Sequence, residues 1–561
     1  MTMKPLQQPL LALSLALPLI SGCSGDAPTA PPGLSGVAAA SDQCAAAPGA
    51  PVAEHGSDEN PLFTPLDIQP ATALAPLLGN VRARATTSLN GEWQTIVDQL
   101  GVGDASPLLY GGVGENRSYN QHELLEYSFE GAESLQVPGD WNSQRESLFW
   151  YRGVVWYQKQ FDYQPDPSSN ADKRVFLYFG GANYQADVYL NGKLLARHKG
   201  GFTPFNIEVT DFIKAGDNGL VVKVDSMSGA DEIPTEHNDW KNFGGITRDV
   251  MLVETPHSFV SNYKLQLKAG SLNTVGGWVQ LDGARAGDKV SLSIKEAGIE
   301  QQFSVDASGL ARFEFEAELA KWSPQSPRLY QIDWQAGGDS ISDEIGFRSF
   351  ATDGEDLLLN GEKVFLRGVS MHEESLLREG RAVSAVDADA AIARLKALNA
   401  NFVRLAHYPH NEHMVRAADR AGIMVWAEIP VYHNIQFGNP CTLAAAKQQY
   451  SELIDRDQNR AAVVMWSLGN ETQPGEARNA FFVAMAEHVR AEDNTRPLTA
   501  ALLGFGGMEK VGRYLGMKLA GQENKLVDLV TNPDVPVVTI DDPLGDIVDV
   551  LGYNEYFGWY M

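Results

Sequence analysis

The sequence predicts a multidomain fold of β plus α/β class, with β-sandwiches in residues 81–350 and an α/β barrel from residue 351. Short runs of alternating apolar and polar residues, separated by turn signals, fill the first range. Repeating strand–helix units with apolar strands fill the second range. The length of 561 residues exceeds what a single hydrophobic core organises, so three or four domains are expected.

The composition restricts the kind of partner. Apolar residues make up 44% of the chain, which is enough to fill several cores and argues against general disorder. The formal net charge of −27 would repel nucleic acid and anionic membrane surfaces, which argues against both as partners. Abundant aromatic and acidic residues suit a carbohydrate ligand without showing one.

Residues 1–23 are typical of a lipoprotein signal peptide. After Lys4, an apolar segment over about residues 10–20 is too short to span a bilayer. The run LISGC resembles a bacterial lipobox in which Cys23 is lipidated; the alternative is an ordinary secretory signal with an incidental cysteine. Because Ser24 follows, we expect an anchor in the outer membrane of a Gram-negative cell envelope. The lipid would be the only contact with a membrane.

Residues 24–80 are predicted to form a disordered tether, because they are rich in Ala, Pro, Gly and Ser. Cys44 lies in this tether and Cys441 in the globular part, so a disulfide between them is not expected. Their wide separation also gives no metal-site spacing.

Two β-sandwiches are predicted to follow. In residues 81–256, strand-like runs such as RVFLYF and VYLNGKLLA favour a jelly-roll β-sandwich, and Asn191-Gly192 in the second run is a hairpin signal. In residues 257–350, runs such as YKLQLKAG and KVSLSIKEAG favour a smaller, immunoglobulin-like β-sandwich.

Residues 351–561 predict a (β/α)8 TIM barrel of which about six strands are present. The helical spacing of Ile392, Leu395 and Leu398 and the apolar run VVMWSLGNE are typical of its alternating helices and buried strands. A six-stranded remnant would leave two open edges. The barrel is therefore expected to be truncated or to depend on a missing piece.

Polar side chains follow the predicted barrel strands at the points where the strands end. In a barrel of this kind these ends form one face, where active sites lie. The residues are His372, Glu373, His407, Glu428, Asn470, Glu471, Asn554 and Glu555.

Several carboxylates at a barrel mouth suit glycoside hydrolysis, which needs an acid to protonate the leaving oxygen and a second carboxylate as nucleophile or base. Glu471 is the best candidate for the acid, because Trp466 and Leu468 would shield it from water and favour its protonated form. The alternative is a charge at a helix N-terminus or in a solvated loop.

Ordered motifs resemble glycoside hydrolase family 2, the family of β-galactosidases, β-glucuronidases and β-mannosidases. SLNGEW, VPGDWN, YRGVVWYQKQF and NFGGITRDVML are similar to the family's sugar-binding jelly roll and its closing signature. NGEKVFLRGVSMHEE, VRLAHYPH, WAEIP and VVMWSLGNE follow in family order. The resemblance covers essentially everything after the tether.

The resemblance implies a retaining, exo-type β-glycosidase that acts by double displacement. Glu471 falls on the family's general acid/base, and Asn470 on the residue that binds the sugar 2-hydroxyl. The remaining predicted substrate-binding residues are His372, His407 and Glu428 around the sugar, and Tyr556 and Trp559 in an aromatic cluster near the nucleophile. For the two histidines a structural hydrogen bond is the alternative, and for Trp559 core packing.

The chain departs from the family at the nucleophile, a Glu that the resemblance places on the next strand, beyond Met561. Glu555 lies on the preceding strand, at a position the family does not use. The chain alone is therefore expected to be inactive as a hydrolase. The alternative function is a catalytically inactive, lipid-anchored carbohydrate-binding protein.

The segment around Glu428 most resembles β-glucuronidase and β-galactosidase sequences. The expected substrates are therefore β-glucuronides or β-galactosides. No cofactor and no metal are predicted. His410, Asn411 and Glu428 could contribute to a cation site, but their spacing is not diagnostic. Oligomerisation stays open.

Overall fold

The computed structural model describes residues 70–101, 103, 129–165, 173–503 and 542–554. The predictions for the signal peptide, for lipidated Cys23 and for the tether up to residue 69 lie outside these residues, as do those for Glu555, Tyr556 and Trp559. For residues 70–80 the tether prediction is wrong, because Leu77 and Leu78 are buried and Gly79 N–H donates to the Ser261 carbonyl at 2.8 Å. The predicted fold class is confirmed: β-sandwiches precede a partial, curled parallel sheet covered by helices.

The first sandwich consists of a four-stranded sheet, β1-β10-β5-β8, and a six-stranded sheet, β3-β2-β4-β9-β6-β7. The strands are β1 (Ala85–Ser88), β2 (Gly91–Asp98), β3 (Ser134–Val137), β4 (Val154–Tyr163), β5 (Arg174–Phe179), β6 (Gln185–Leu190), β7 (Lys193–Lys199), β8 (Phe205–Glu208), β9 (Gly216–Asp225) and β10 (Val250–Thr255). A short helix, α1 (Trp141–Gln144), lies between β3 and β4. Leu190 pairs with Lys193, so Asn191 and Gly192 form the predicted two-residue turn, both with positive φ.

The second sandwich packs the sheet β11-β12-β15 against the sheet β14-β13-β16-β17 around a core that includes Trp334 and Val260. Its strands are β11 (Phe259–Leu267), β12 (Thr274–Asp282), β13 (Lys289–Ile294), β14 (Ile299–Ser304), β15 (Leu310–Glu316), β16 (Tyr330–Ala336) and β17 (Asp339–Ile345). Along β17 buried and exposed residues alternate, as expected for a sheet with one face on a core.

A small antiparallel sheet, made of β18 (Phe350–Asp353), β19 (Asp356–Leu359) and β20 (Glu362–Lys363), leads into the barrel. Six parallel strands then follow in chain order: β21 (Gly368–Met371), β22 (Phe402–Leu405), β23 (Met424–Glu428), β24 (Val463–Asn470), β25 (Leu498–Leu503) and β26 (Val550–Asn554). The described helices between them are α2 (Ala385–Ala397), α3 (Glu412–Ala421), α4 (Pro440–Asp457) and α5 (Glu476–Glu492).

Local sequence signals explain where these helices begin and end. Ser384 and Asp387 form a capping box at the start of α2. Asn411 and Asn439 accept hydrogen bonds from the first turns of α3 and α4, and Gly422 ends α3 with a positive φ of 68°. All eight residues of β24 are buried, as expected for a parallel strand that is covered on both faces.

A buried ionic cluster attaches the first sandwich to the barrel. Glu373, two residues after β21, accepts hydrogen bonds from Arg248 at 3.1 Å and from Arg381 at 2.7 Å. Arg248, which precedes β10, also donates to the carbonyl of Pro409 at 2.6 Å. Because these side chains are almost fully buried, their pairing fixes how the sandwich sits on the barrel.

Cys441 is disulfide-bonded. Its partner lies outside the described residues, and the other cysteines of the chain are Cys23 and Cys44. Within the described part of the chain, no helix is long and apolar enough to cross a membrane.

Candidate active site

The ends of the barrel strands bring together six of the polar residues predicted there. They are His372 after β21, His407 after β22, Glu428 at the end of β23, Asn470 and Glu471 at the end of β24, and Asn554 at the end of β26. Hydrogen bonds and ring contacts connect all six, directly or through Arg404. Their placement follows from the parallel topology, which puts the carboxyl ends of the strands on one face.

Glu428 is held as an anion by charged and polar donors. Arg404 on β22 donates to both of its oxygens at 3.0–3.2 Å, and Trp426 donates its indole N–H to Oε2 at 2.8 Å. The Nδ1 of His407 lies 2.8 Å from Oε1 and donates to it, since a carboxylate only accepts. Burial alone would raise the pKa of Glu428, but the charges of Arg404 and His407 outweigh it and lower the pKa to about 2.

His372 lies beside this group as a neutral imidazole. Burial, followed by the neighbouring His407, lowers the pKa of His372 to about 4. Its Nδ1 is 3.3 Å from the Tyr408 hydroxyl, and its ring centroid is 5.4 Å from that of His407. The hydrogen bonds of the two histidines agree with a structural role as well as with substrate binding, and their role as sugar-binding residues stays a prediction.

Asn470 and Glu471 form a separate group one strand further along. The Oδ1 of Asn470 accepts from Arg404 at 2.7 Å and from Asn554 at 3.0 Å, while its Nδ2 is buried and has no hydrogen-bond partner among the described residues. Asn554 also donates to Oε1 of Glu471 at 2.9 Å, and His433 contacts Oε2 at 3.0 Å. The Glu471 side chain is only 4% exposed.

The sequence analysis missed Arg404 and His433 as site residues. Arg404 lies inside the apolar run FVRL of β22, and a charge inside a buried strand requires a buried partner. That signal could have identified it as the counter-ion of Glu428. His433 follows the end of β23 by five positions, in a segment with no periodic pattern.

A further missed residue, Trp240, comes from the first sandwich. It lies in the long connection between β9 and β10 and packs with Phe202, Tyr408 and Tyr432. Its ring centroid is 6.1 Å from that of His372 and 6.0 Å from that of His407. A tryptophan in a polar, Gly-containing loop is unusual and could have marked Trp240 as a contact residue. The sequence pattern does not show that the barrel is the domain it contacts.

The described residues contain no group of three or more His, Cys, Asp or Glu side chains arranged to hold a metal ion. Nε2 of His410 lies 3.1 Å from the carbonyl of Ala406, and Asn411 caps α3. Both therefore have local structural contacts, and Glu428 is bound to Arg404.

Comparison with known proteins agrees with this architecture. Residues 86–256 match the sugar binding domain of glycosyl hydrolases family 2, and residues 350–504 match the TIM barrel domain of the same family. A putative beta-glucuronidase of Formosa agariphila is 32% identical over 60% of this chain and 43% of its own length. A beta-galactosidase of Streptococcus thermophilus is 30% identical over 67% of this chain and 38% of its own length.

Among solved structures, a beta-glucuronidase from an uncultured Clostridium species superposes with a TM-score of 0.66 at 26% identity, covering 87% of this chain and 79% of its own. The chain spans about two fifths of the length of the two curated relatives above. Two family domains in the family's order, together with these relatives, identify the chain as a member of glycoside hydrolase family 2.

Proposed function

We propose that the whole protein is a retaining, exo-type β-glycosidase in which Glu471 is the general acid/base. The observation that carries this proposal is the environment of Glu471, which is buried at the mouth of the barrel beside Asn470. In the first step its carboxyl group protonates the leaving oxygen of the glycoside, and in the second step the resulting carboxylate takes a proton from water.

In this proposal Asn470 orients the sugar. The Oδ1 of Asn470 is occupied by Arg404 and Asn554, so the orientation of the amide is fixed and its unpartnered Nδ2 can donate to a sugar hydroxyl. A buried donor without a partner is costly, and a hydroxyl group that satisfies it in the transition state lowers the barrier. The predicted contacts of His372, His407 and Glu428 with the sugar belong to the same proposal.

The second carboxylate is proposed to be the strand-end glutamate that the family resemblance implies. Glu428 is a poor candidate for nucleophile, because both of its oxygens already accept hydrogen bonds from Arg404. A retaining mechanism requires the two carboxyl groups to lie about 5–5.5 Å apart, which a structure of the whole protein can measure.

The proposed substrates are β-glucuronides or β-galactosides. The relatives above are named for one or the other activity. Parallel assays with the methylumbelliferyl derivatives of both sugars, on the protein made from its whole reading frame, decide between them.

Glu471→Gln tests the role of the acid. For a methylumbelliferyl glycoside, whose leaving group needs protonation, we expect kcat/KM to fall by about 10²–10⁴-fold. A dinitrophenyl glycoside leaves without protonation, and its kcat/KM should fall much less. Azide should restore turnover of the variant and give the β-glycosyl azide, because azide attacks without a base. Glu487→Gln, on the exposed face of α5, is the matched control.

Equal losses for both leaving groups, with no azide product, would contradict the assignment of Glu471. Binding of a glycoside without any turnover by the wild-type protein would instead support the inactive carbohydrate-binding alternative.

We also propose that the protein is lipid-anchored in the envelope of a Gram-negative bacterium. The run LISGC before Ser24 supports this location, and the disulfide at Cys441 agrees with an oxidising compartment. Labelled palmitate should be incorporated by the wild type and not by Cys23→Ser.

A further inference from the structure

His433 contacts the proposed acid/base directly. Its Nε2 lies 3.0 Å from Oε2 of Glu471, while Asn554 donates to Oε1 at 2.9 Å. The imidazole is 42% exposed, whereas the Glu471 side chain is 4% exposed.

The backbone holds this contact in place. Tyr432, beyond the end of β23, and Asn470, the last residue of β24, form an isolated parallel bridge. In it, Asn470 N–H donates to the Val431 carbonyl at 2.9 Å and His433 N–H donates to the Asn470 carbonyl at 3.0 Å. The residues that follow the bridge, His433 and Glu471, both have a φ of 52°, which is uncommon for residues other than glycine.

Two further features support the bridge. At Gly469 an added Cβ would lie 3.1 Å from the Val431 carbonyl oxygen and 2.9 Å from the Phe482 ring, so glycine permits the close approach of the two segments. The imidazole of His433 stacks on the ring of Tyr432, with centroids 3.9 Å apart. His433 is therefore held by packing as well as by its hydrogen bond.

We propose that His433 is a positioning residue for Glu471, which donates Nε2–H to the carboxylate and so orients it and stabilises its ionised form. This inference rests on the proposed function. A hydrogen bond donated to a carboxylate favours the ionised form over the protonated one. His433 thus supports Glu471 in the second step, in which Glu471 acts as a base. It also lowers the highest pH at which Glu471 still carries the proton needed for the first step.

Several charged and titratable side chains near this pair, among the described residues, have partners of their own. Arg404 on β22 and Glu428 on β23 form an ion pair, and His407 donates to Glu428. The His372 ring contacts that of His407, with centroids 5.4 Å apart. Arg404 donates hydrogen bonds to the neutral side chains of Asn470 and Asn554, which adjoin Glu471.

The test compares His433→Phe, which keeps an aromatic ring on Tyr432, with His433→Gln, which keeps an N–H donor. For His433→Phe we expect the basic limb of kcat/KM to move upward by about 1 pH unit, because loss of a hydrogen bond to a charged group changes its proton affinity by about that much. The loss of kcat should exceed any change in KM and should be larger for a methylumbelliferyl than for a dinitrophenyl glycoside.

His433→Gln should return the basic limb toward the wild-type position. His257→Phe, at an exposed histidine in the connection between the sandwiches, should leave the profile unchanged. An unshifted limb in His433→Phe, or a loss that is equal for both leaving groups and is not rescued in His433→Gln, would overturn the proposal.

A second measurement separates this inference from the proposed function. If the wild-type protein shows no turnover, the proposed function fails, but the carboxyl carbon of Glu471 can still be titrated by ¹³C NMR and identified by its absence in Glu471→Gln. In His433→Phe its midpoint should move to higher pH. An unchanged midpoint would overturn the role of His433 irrespective of activity.

Discussion

Glu428 and Glu471 are the same residue type, at the ends of neighbouring strands and similarly buried, yet their surroundings differ. Arg404 donates to both oxygens of Glu428, with further donation from Trp426 and His407. Among the described contacts of Glu471, Asn554 donates to one oxygen and the His433 imidazole meets the other. A guanidinium ion accompanies one carboxylate, and an amide with an imidazole accompanies the other.

In the proposed mechanism, this difference gives the two carboxylates separate tasks. A buried guanidinium stabilises the ionised form so strongly that the pKa of Glu428 lies at about 2. That carboxylate suits a fixed anchor for polar groups and not proton transfer near neutral pH. An acid/base must exchange its proton within the catalytic cycle, and the described hydrogen-bond partners of Glu471 are an amide and an imidazole. Pairs of acids in contrasting environments are typical of glycosidase sites.

The largest effect should follow from removing the cation beside Glu428. Arg404→Met leaves a buried carboxylate without a counter-ion, which costs about 3–5 kcal/mol of folding free energy. We expect the thermal unfolding midpoint of the variant to fall by several degrees. Arg404→Met combined with Glu428→Gln should recover part of the loss, because no unpaired charge remains.

Arg420→Met, at the exposed end of α3, is the control for loss of a surface arginine. If the double variant is as unstable as Arg404→Met, the cost lies in lost packing of the arginine stem and not in the uncompensated charge.

A smaller effect should appear as a pH dependence of stability. The pKa of Glu428 is lowered in the folded state from an ordinary value of 4.5 to about 2. The ionised form therefore stabilises the fold fully above about pH 4.5, and this contribution is lost as the pH falls toward 2. The difference in unfolding free energy between the wild type and Glu428→Gln should shrink by up to about 3 kcal/mol over this range.

Chemical denaturation at pH 5.5, 4 and 3 measures that difference. A constant difference across the three pH values would show that Glu428 is not held as an anion by Arg404.

The sequence predicted the part of the site that depends on topology. Because the carboxyl ends of parallel barrel strands share a face, the residues ending β23, β24 and β26 could be grouped without coordinates. Arg404 was missed because it lies within a strand, where the apolar pattern dominates. Trp240 was missed because a different domain supplies it, and domain docking through Glu373 and Arg248 leaves no periodic signal.

The smallest effect should come from Asn554, which connects the two environments. It donates to Glu471 and Asn470 and accepts from Arg404 at 3.2 Å. Asn554→Ala should lower kcat/KM about fivefold, as expected for loss of about 1 kcal/mol from a neutral hydrogen bond. The pH dependence of the unfolding free energy should be the same as in the wild type, because Arg404 still pairs with Glu428. If Asn554→Ala instead alters the pH dependence of stability, the proton affinities of Glu428 and Glu471 are coupled through the Asn554 amide. The two carboxylates then cannot be treated as separate environments.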